Sequence, residues 1–269
     1  MQRSGCRRRR VSLAAGLGLI LGAVYTAPAH AQDSASNAAA QTTPVAGGSP
    51  DFLFGRPHGS IGVRGSWLFA RADSDLFDFV QRQLTVDKKD FNTPMIGIDG
   101  AITLTPRLDV MVGAEFGQAT KDSEYRDFVD NRLLPINQST TLRQSNVTGS
   151  IRFNLLPRGQ SVSRFAWIPR SVTPYVGAGG GAVWYKFEQI GDFVDFVDHS
   201  VFTDYFVSSG FTPSAHIFGG TDLHLYRILF LTAEGRYVWA NAKLGTDFVD
   251  FDPIDLAGFR LSTGIHLMF

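Results

Sequence analysis

Cysteine is almost absent: the 269 residues contain one, Cys6, inside a basic N-terminal stretch. A single cysteine excludes an intramolecular disulfide and any zinc or iron–sulfur centre held by thiolates. Long apolar runs are also missing. After residue 31 no stretch reaches the roughly 18 apolar residues that a transmembrane helix requires. An excess of positive charge is missing too. The formal net charge is zero, from 25 basic and 25 acidic residues, but Arg3, Arg7, Arg8, Arg9 and Arg10 crowd the first ten positions. Without those five the balance is 20 against 25, a net of −5. A nucleic-acid binder is basic over its folded part, so no nucleic-acid partner is expected.

What is present begins with an export signal, residues 1–31. The basic start is followed by a small, apolar segment from Val11 to Val24, too short to span a bilayer as a helix. Ala29-His30-Ala31 supplies a small-x-small cleavage pattern and places the cut before Gln32. Cys6 precedes the apolar run, whereas a lipoprotein cysteine follows it, so no lipid attachment is expected. Residues 32–57 are rich in Ala, Ser, Thr, Gly and Pro and read as a flexible periplasmic leader.

From residue 58 to 269 hydrophobicity alternates with period 2, the signature of strands with one apolar face. In 61–69, Ile61, Val63, Trp67 and Phe69 oppose Gly62, Arg64 and Ser66. In 96–104, Ile96, Ile98, Ile102 and Leu104 oppose Gly97, Asp99, Ala101 and Thr103. In 108–116, Leu108, Val110, Val112, Ala114 and Phe116 oppose Asp109, Met111, Gly113 and Glu115. In 147–155, Val147, Ile151, Phe153 and Leu155 oppose Thr148, Ser150, Arg152 and Asn154. In 175–187, Tyr175, Val183, Tyr185 and Phe187 are read as one face, and Ala178, Trp184 and Lys186 as the other. In 211–225, 229–239 and 259–269 the polar face carries His216, Asp222 and His224, then Glu234 and Arg236, then Arg260 and His266. That makes eight strands.

The connections alternate as well. Short turns lie at Thr105-Pro106-Arg107 and near Tyr226-Arg227, and long links run at about 73–90, 118–140, 189–210 and 241–257. The 156–174 link is long although it falls on the short-turn rim. It holds Phe165, Trp167 and Pro169, so it is expected under the barrel mouth or at the membrane surface. Aromatics on the apolar face sort by height. Trp67, Phe69, Phe116, Tyr185, Phe187, Phe211, Tyr237, Trp239 and Phe259 read as one belt; Phe153, Tyr175 and Phe269 read as a second. Two belts suit two membrane interfaces, so the apolar face is expected outside and the polar face inside. The fold expected is an all-β, eight-stranded antiparallel transmembrane up-and-down barrel. Its interior network is expected to hold Arg64, Asp99, Asp109, Glu115, Arg152, Lys186, Asp222, Glu234, Arg236 and Arg260, with Glu188 and the histidines on the same face. An eight-stranded barrel is just wide enough for side chains to fill it, so the charges must pair and plug the core. Arg236 is expected at the depth of Arg260, with Glu234 one step deeper and bridged to at least one of them.

The signal, the eight amphipathic strands and the ending Gly264-Ile265-His266-Leu267-Met268-Phe269 together resemble small bacterial outer-membrane β-barrels of the OmpA type. The resemblance covers about residues 58–269 and lacks a peptidoglycan-binding domain. It implies a bacterial outer-membrane location, contact with outer-membrane lipid, a monomeric barrel, and recognition of terminal Phe269 by the barrel-assembly machinery.

The loops repeat themselves. Asp-Phe-Val occurs at Asp78-Phe79-Val80, Asp127-Phe128-Val129, Asp192-Phe193-Val194, Asp195-Phe196-Val197 and Asp247-Phe248-Val249. Chance would supply roughly 0.1 copies, so the repeat is real. As read from the sequence, every long loop holds a copy and no strand does. The four loops also hold 16 of the 21 Asp residues; with Glu124 and seven basic residues their net charge is −10. Exposed Phe must bury somewhere, so the loops are expected to pack together as a cap. The other readings are a partner-binding surface, and divalent-cation binding through Asp192, Asp195 and Asp198 or through Asp247, Asp250 and Asp252. Asp at every third position lacks the EF-hand spacing.

Several motifs lead nowhere. Gly177-Ala178-Gly179-Gly180-Gly181-Ala182 fits a dinucleotide fingerprint by letters, but it lies within a strand with no helix to receive a phosphate. His58-Gly59-Ser60 resembles the His-x-Ser of outer-membrane lipid A deacylases, yet it sits on the periplasmic rim. His216 and His224 lie about 26 Å apart along a strand and cannot share a metal. No cofactor or metal is expected, and no nucleophile–base pair stands out. The function expected is a structural or surface-interaction barrel rather than an enzyme; an outer-membrane enzyme acting on lipid or protein, or a narrow channel, are the alternatives.

Overall fold

The computed structural model describes residues 53–269 apart from Arg164. The export signal and leader residues 32–52 lie outside the described residues. Chain order runs β1 (Gly59–Ala70), α1 (Asp75–Gln83), β2 (Thr93–Thr103), β3 (Leu108–Val129), β4 (Pro135–Asn154), β5 (Gly159–Ser163), β6 (Ala166–Pro169), β7 (Val172–Val194), β8 (Val201–Tyr226), β9 (Leu229–Trp239), β10 (Asn241–Ala242), β11 (Ile254–Asp255) and β12 (Gly258–Met268). Eight of these close into one barrel in the order β1-β12-β9-β8-β7-β4-β3-β2. Every neighbouring pair is antiparallel, and closure is made by β1 and β12, where Ile61 faces Leu267 and Phe69 faces Phe259. Closure leaves no free sheet edge, which is what allows a sheet to meet lipid.

Period 2 sets inside and outside on most strands. On β1, Ile61, Val63, Trp67 and Phe69 are exposed, while Arg64, Ser66 and Leu68 are buried. β12 repeats this, with Phe259, Leu261, Ile265 and Leu267 outside and Arg260, Ser262 and His266 inside.

β7 departs from the sequence reading. Tyr175, Val183, Tyr185 and Phe187 are buried inside, and Ala178, Trp184 and Lys186 point out. The phase is inverted because the interior of this strand is apolar at two levels. Tyr175 packs beside Phe218 low in the barrel, with ring centroids 6.2 Å apart. Val183, Tyr185 and Phe187 join the apolar cluster under the loops. Between them the inward positions Gly177 and Gly179 leave room for neighbours' side chains. A Cβ at Gly177 would come within 2.3 Å of the Phe218 ring, and one at Gly179 within 2.8 Å of His216 Nε2.

The long links are also more regular than alternation suggests. β3, β4, β7 and β8 are 22, 20, 23 and 26 residues long, against 11 or 12 for β1, β2, β9 and β12. A tilted membrane strand needs only about 9–11 residues. The excess projects beyond one rim as two tall hairpins, Asp122 facing Ser139 and Asp192 facing Thr203. Both faces of these extensions meet water or the cap, so no single apolar face betrays them in the sequence. The Asp-Phe-Val copies therefore do fall on regular elements: Asp78–Val80 in α1, Asp127–Val129 at the end of β3 and Asp192–Val194 at the end of β7.

At the other rim the 156–174 link folds into the β5–β6 hairpin, with Trp167 buried. Leu53 and Trp167 exchange two backbone hydrogen bonds of 2.9 and 3.0 Å, which ties the chain entering the barrel to this hairpin.

Candidate functional site: a charge-matched interior under an aromatic cap

Two layers of ion pairs fill the barrel. In the upper layer Arg64 Nη2 lies 2.7 Å from Asp99 Oδ1 and its Nη1 lies 3.3 Å from Glu234 Oε1. Arg236 donates to the same Glu234 oxygen through Nε at 3.0 Å and Nη2 at 2.9 Å. The Tyr175 hydroxyl donates to the other Glu234 oxygen at 3.0 Å. Arg260 Nη1 reaches Glu115 Oε2 at 2.8 Å, and Ser66 donates to Glu115 Oε1 at 3.4 Å. Register explains the geometry: Arg236 faces Arg260 and Glu234 faces Ser262, so the acid lies one step below the two bases. Glu234 is bridged to Arg236, while Arg260 takes Glu115.

In the lower layer Arg152 lies 3.0 Å from Asp109 and 3.3 Å from Asp222. Arg158 reaches up from the turn before β5 and places Nη2 3.1 Å from Asp109 and 3.5 Å from Asp222. Asn154 also donates to Asp109 Oδ2 at 2.8 Å and Thr232 to Asp222 Oδ1 at 2.9 Å.

Lys186 and Glu188, expected inside, point outward on β7 and pair with each other at 2.7 Å, with Arg143 3.9 Å from Glu188. Removing these two from the interior leaves four arginines, Arg64, Arg152, Arg236 and Arg260, against five carboxylates. Arg158 is the fifth base. Sequence reading missed it because it lies in a Pro-Arg-Gly turn outside any alternation, yet the charge deficit would have called for it. Burying unmatched charge costs several kcal/mol per ion, so buried charges have to balance.

Elsewhere in the lumen, Ser150 and His216 Nε2 are 2.8 Å apart, both buried. The distance suits a nucleophile and its base, but His216 Nδ1 has no hydrogen-bond partner to orient the ring. The pair lies in the barrel interior, with Ser150 7% and His216 1% exposed.

Above the upper layer the loops bury a second core. Leu76, Phe77, Val80, Leu84, Val86 and Phe91 from the first loop pack with Tyr125, Ile136, Leu142, Val183, Tyr185, Phe187, Phe248, Ile254 and Leu256. The repeat phenylalanines meet ring to ring. Phe79 lies 6.3 Å from Phe196 and 5.4 Å from Phe251, Phe128 lies 5.9 Å from Phe196, and Phe193 lies 4.7 Å from Phe206. Phe248 lies 5.5 Å from Phe187, which links the repeat to the barrel wall. Edge-to-face pairs of this kind add to simple burial.

The aspartates of the repeat stitch backbone. Asp247 accepts from the Val207 amide at 3.0 Å, Asp195 from Val197 at 2.7 Å and Asp192 from the Thr203 hydroxyl at 2.6 Å. Asp198 accepts from the Ser200 amide, which holds its pKa below the usual carboxylate range. Asp255 binds Arg71 Nε at 2.6 Å and raises the pKa of that guanidinium. Among the described residues no three His, Cys, Asp or Glu side chains converge on a point that could hold a metal ion. Asp192, Asp195 and Asp198 serve separate hydrogen bonds instead.

The outer wall decides the environment. Ile61, Val63, Ile96, Ile98, Ile102, Val112, Val147, Ile151, Ile217, Leu261 and Ile265 form an exposed apolar band around a polar core. Trp67, Phe69, Phe116, Phe211, Trp239 and Phe259 ring its upper edge, with Trp184 in the place expected for Tyr185 and Phe187. Phe153 and Phe269 stand on the lower edge, without Tyr175. A soluble barrel would expose the opposite face. The chain is an eight-stranded transmembrane β-barrel.

Solved structures with a similar outline include Neisserial surface protein A, at 13% identity and TM-score 0.46 over 78% of this chain and 97% of that one. The N-terminal β-barrel domain of Pseudomonas aeruginosa OprF matches at 13% identity and TM-score 0.34, over 80% and 99%. Ail, the attachment invasion locus protein of Yersinia pestis, matches at 16% identity and TM-score 0.37, over 80% and 100%. At these identities none of their residues is carried over to this chain. No family model matches it, and no curated protein matches it.

Proposed function

We propose that this protein is an outer-membrane barrel with a structural or surface-interaction role and no enzymatic one. In this reading it is a closed, monomeric cylinder in outer-membrane lipid that holds an acidic, phenylalanine-packed cap outside the cell. The observation that supports the reading best is the matched interior, five arginines against five carboxylates, with the cap core above and Arg158 below. Water-filled pores keep their polar linings apart, whereas this lining pairs across the lumen. In planar bilayers the purified barrel is expected to give no steady single-channel steps. Regular steps of uniform size would overturn the sealed-barrel reading in favour of a narrow channel.

Two predictions test the orientation and the route into the membrane. Cysteines introduced as Asp130→Cys, Asp198→Cys or Asp250→Cys lie on the cap side, and Arg227→Cys lies on the opposite rim. Impermeant maleimide on whole cells should label the first three and not the fourth; labelling of Arg227→Cys alone would invert the topology. Phe269 follows the closing strand β12, and its main-chain oxygen accepts from the His58 and Gly59 amides at 2.7 and 3.0 Å. Its ring stays exposed, free for the barrel-assembly machinery to read. Phe269→Ala should retain the closing hydrogen bonds yet lower the amount in purified outer membranes, and wild-type amounts would contradict recognition of the ring.

A further inference from the structure

The cap buries Phe193 and Phe248 of the repeat, half-buries Phe79 and Phe128, and leaves an apolar crest. The β3–β4 turn carries Val129, Leu133 and Leu134, which are 55%, 81% and 54% exposed. The β7–β8 turn carries Phe196 and Val197, at 48% and 92%. The two turns are joined at their bases, since Phe128 packs 5.9 Å from Phe196 and 5.8 Å from His199. Val249, also exposed, belongs to the neighbouring turn whose Phe251 packs on Phe79, itself in ring contact with Phe196. These side chains lie above the aromatic belt, away from the lipid band. Phe196 packs on the cap through Phe79 and Phe128, whereas Leu133, Val197 and Val249 stand outside the cap core. Leu133 even holds φ at +61°, a left-handed conformation that bulky residues rarely adopt. Exposed apolar clusters of this kind mark interaction surfaces.

Charge selects the occupant. Around the crest stand six carboxylates, Asp127 and Asp130 beside the first turn, Asp195 and Asp198 in the second, Asp250 and Asp252 beside Val249, against two guanidiniums, Arg126 and Arg132, on the first turn, so the surplus is negative and lies toward the second and third turns. The loops as a whole carry a net −10. A second copy of the same crest would bring two such fields together, and an anionic membrane would be repelled in the same way. We infer that the crest docks a cationic amphipathic polypeptide segment, its apolar side chains on Leu133, Phe196 and Val197 and its lysines or arginines on the aspartate rim. This rests on the proposal that the cap stands outside the cell as an interaction surface, and it names the class of partner.

The test uses the full barrel in nanodiscs of zwitterionic lipid, with empty nanodiscs as the blank. The probe is a synthetic Leu/Lys amphipathic helix. A Leu/Glu helix of the same pattern and a Lys/Ser peptide of the same charge serve as comparisons. The Leu/Lys helix should bind saturably and weaken as salt rises, and both comparison peptides should bind at least about tenfold more weakly. The triple variant Leu133→Ser, Val197→Ser, Val249→Ser should lose about tenfold or more in affinity while keeping wild-type heat-modifiability. These three side chains are exposed, so the fold does not depend on them. Equal binding of the Lys/Ser peptide, or full affinity in the triple variant, would show a purely electrostatic surface and overturn the docking site. Absence of binding by the Leu/Lys helix would also overturn it. Those outcomes leave the bilayer measurement untouched, whereas channel activity would defeat the sealed-barrel reading without touching this one.

Discussion

Glu234→Ala is expected to destabilise the barrel by about 3–5 kcal/mol, the cost of breaking a buried ion network by removing one partner. Glu234 is 3% exposed and serves Arg64, Arg236 and Tyr175 together. Without it the upper layer would set three guanidiniums against Asp99 and Glu115. Arg236 loses the oxygen to which both its Nε and Nη2 donate. Glu234→Gln keeps the shape and an acceptor for Tyr175, so its loss should be smaller. Heat-modifiability on gels, read across a urea series, reports the folded fraction directly. A Glu234→Ala barrel as resistant as wild type would mean that water solvates these arginines, and the sealed-lumen reading would fail with it.

Phe77→Ala should do the opposite in space: it should loosen the cap and spare the cylinder. Phe77 is fully buried, 4.7 Å from the Phe91 ring and 6.2 Å from Phe187. Truncating a buried phenylalanine costs about 3–5 kcal/mol, through lost transfer energy and the cavity left behind. The backbone ladder of the barrel is formed elsewhere, so the loss should appear as local opening. Amide exchange over α1 and residues 84–92 should accelerate, and protease should cut the first loop, while heat-modifiability stays at the wild-type temperature. Unchanged exchange there would show that the cap is held by its hydrogen bonds, such as that donated by the Asp252 amide to Asp75 Oδ2 at 2.9 Å, and not by its apolar core.

Much of the architecture was legible because one physical rule repeats in every short strand. A lipid-facing side chain must be apolar, and its neighbours in sequence must face the lumen. Ile61/Arg64 on β1 and Leu261/Arg260 on β12 obey it, and so does Glu234 one step below Arg236 on β9. β7 hid its phase because glycine and alanine on both faces erase the contrast, and because its inward aromatics serve the cap core and Glu234. The same loss of contrast makes Lys186 read as inward from the sequence. Arg158 escaped because a turn residue obeys no period, and only the charge deficit of the lumen points to it.

The sequence by itself determined the eight strands of the barrel, their antiparallel class, the acidic rim and the aromatic repeat, since each is a property of local pattern or of composition. The tertiary structure alone decided which carboxylate each arginine takes, because pairing depends on register across strands as distant as Arg64 and Glu234. It alone decided that two long links are tall hairpins, because their faces meet water and cap and carry no lipid signature. And it alone separated the phenylalanines that bury in the cap from Phe196 and its neighbours at the crest, because identical Asp-Phe-Val triplets are distinguished only by what packs around them.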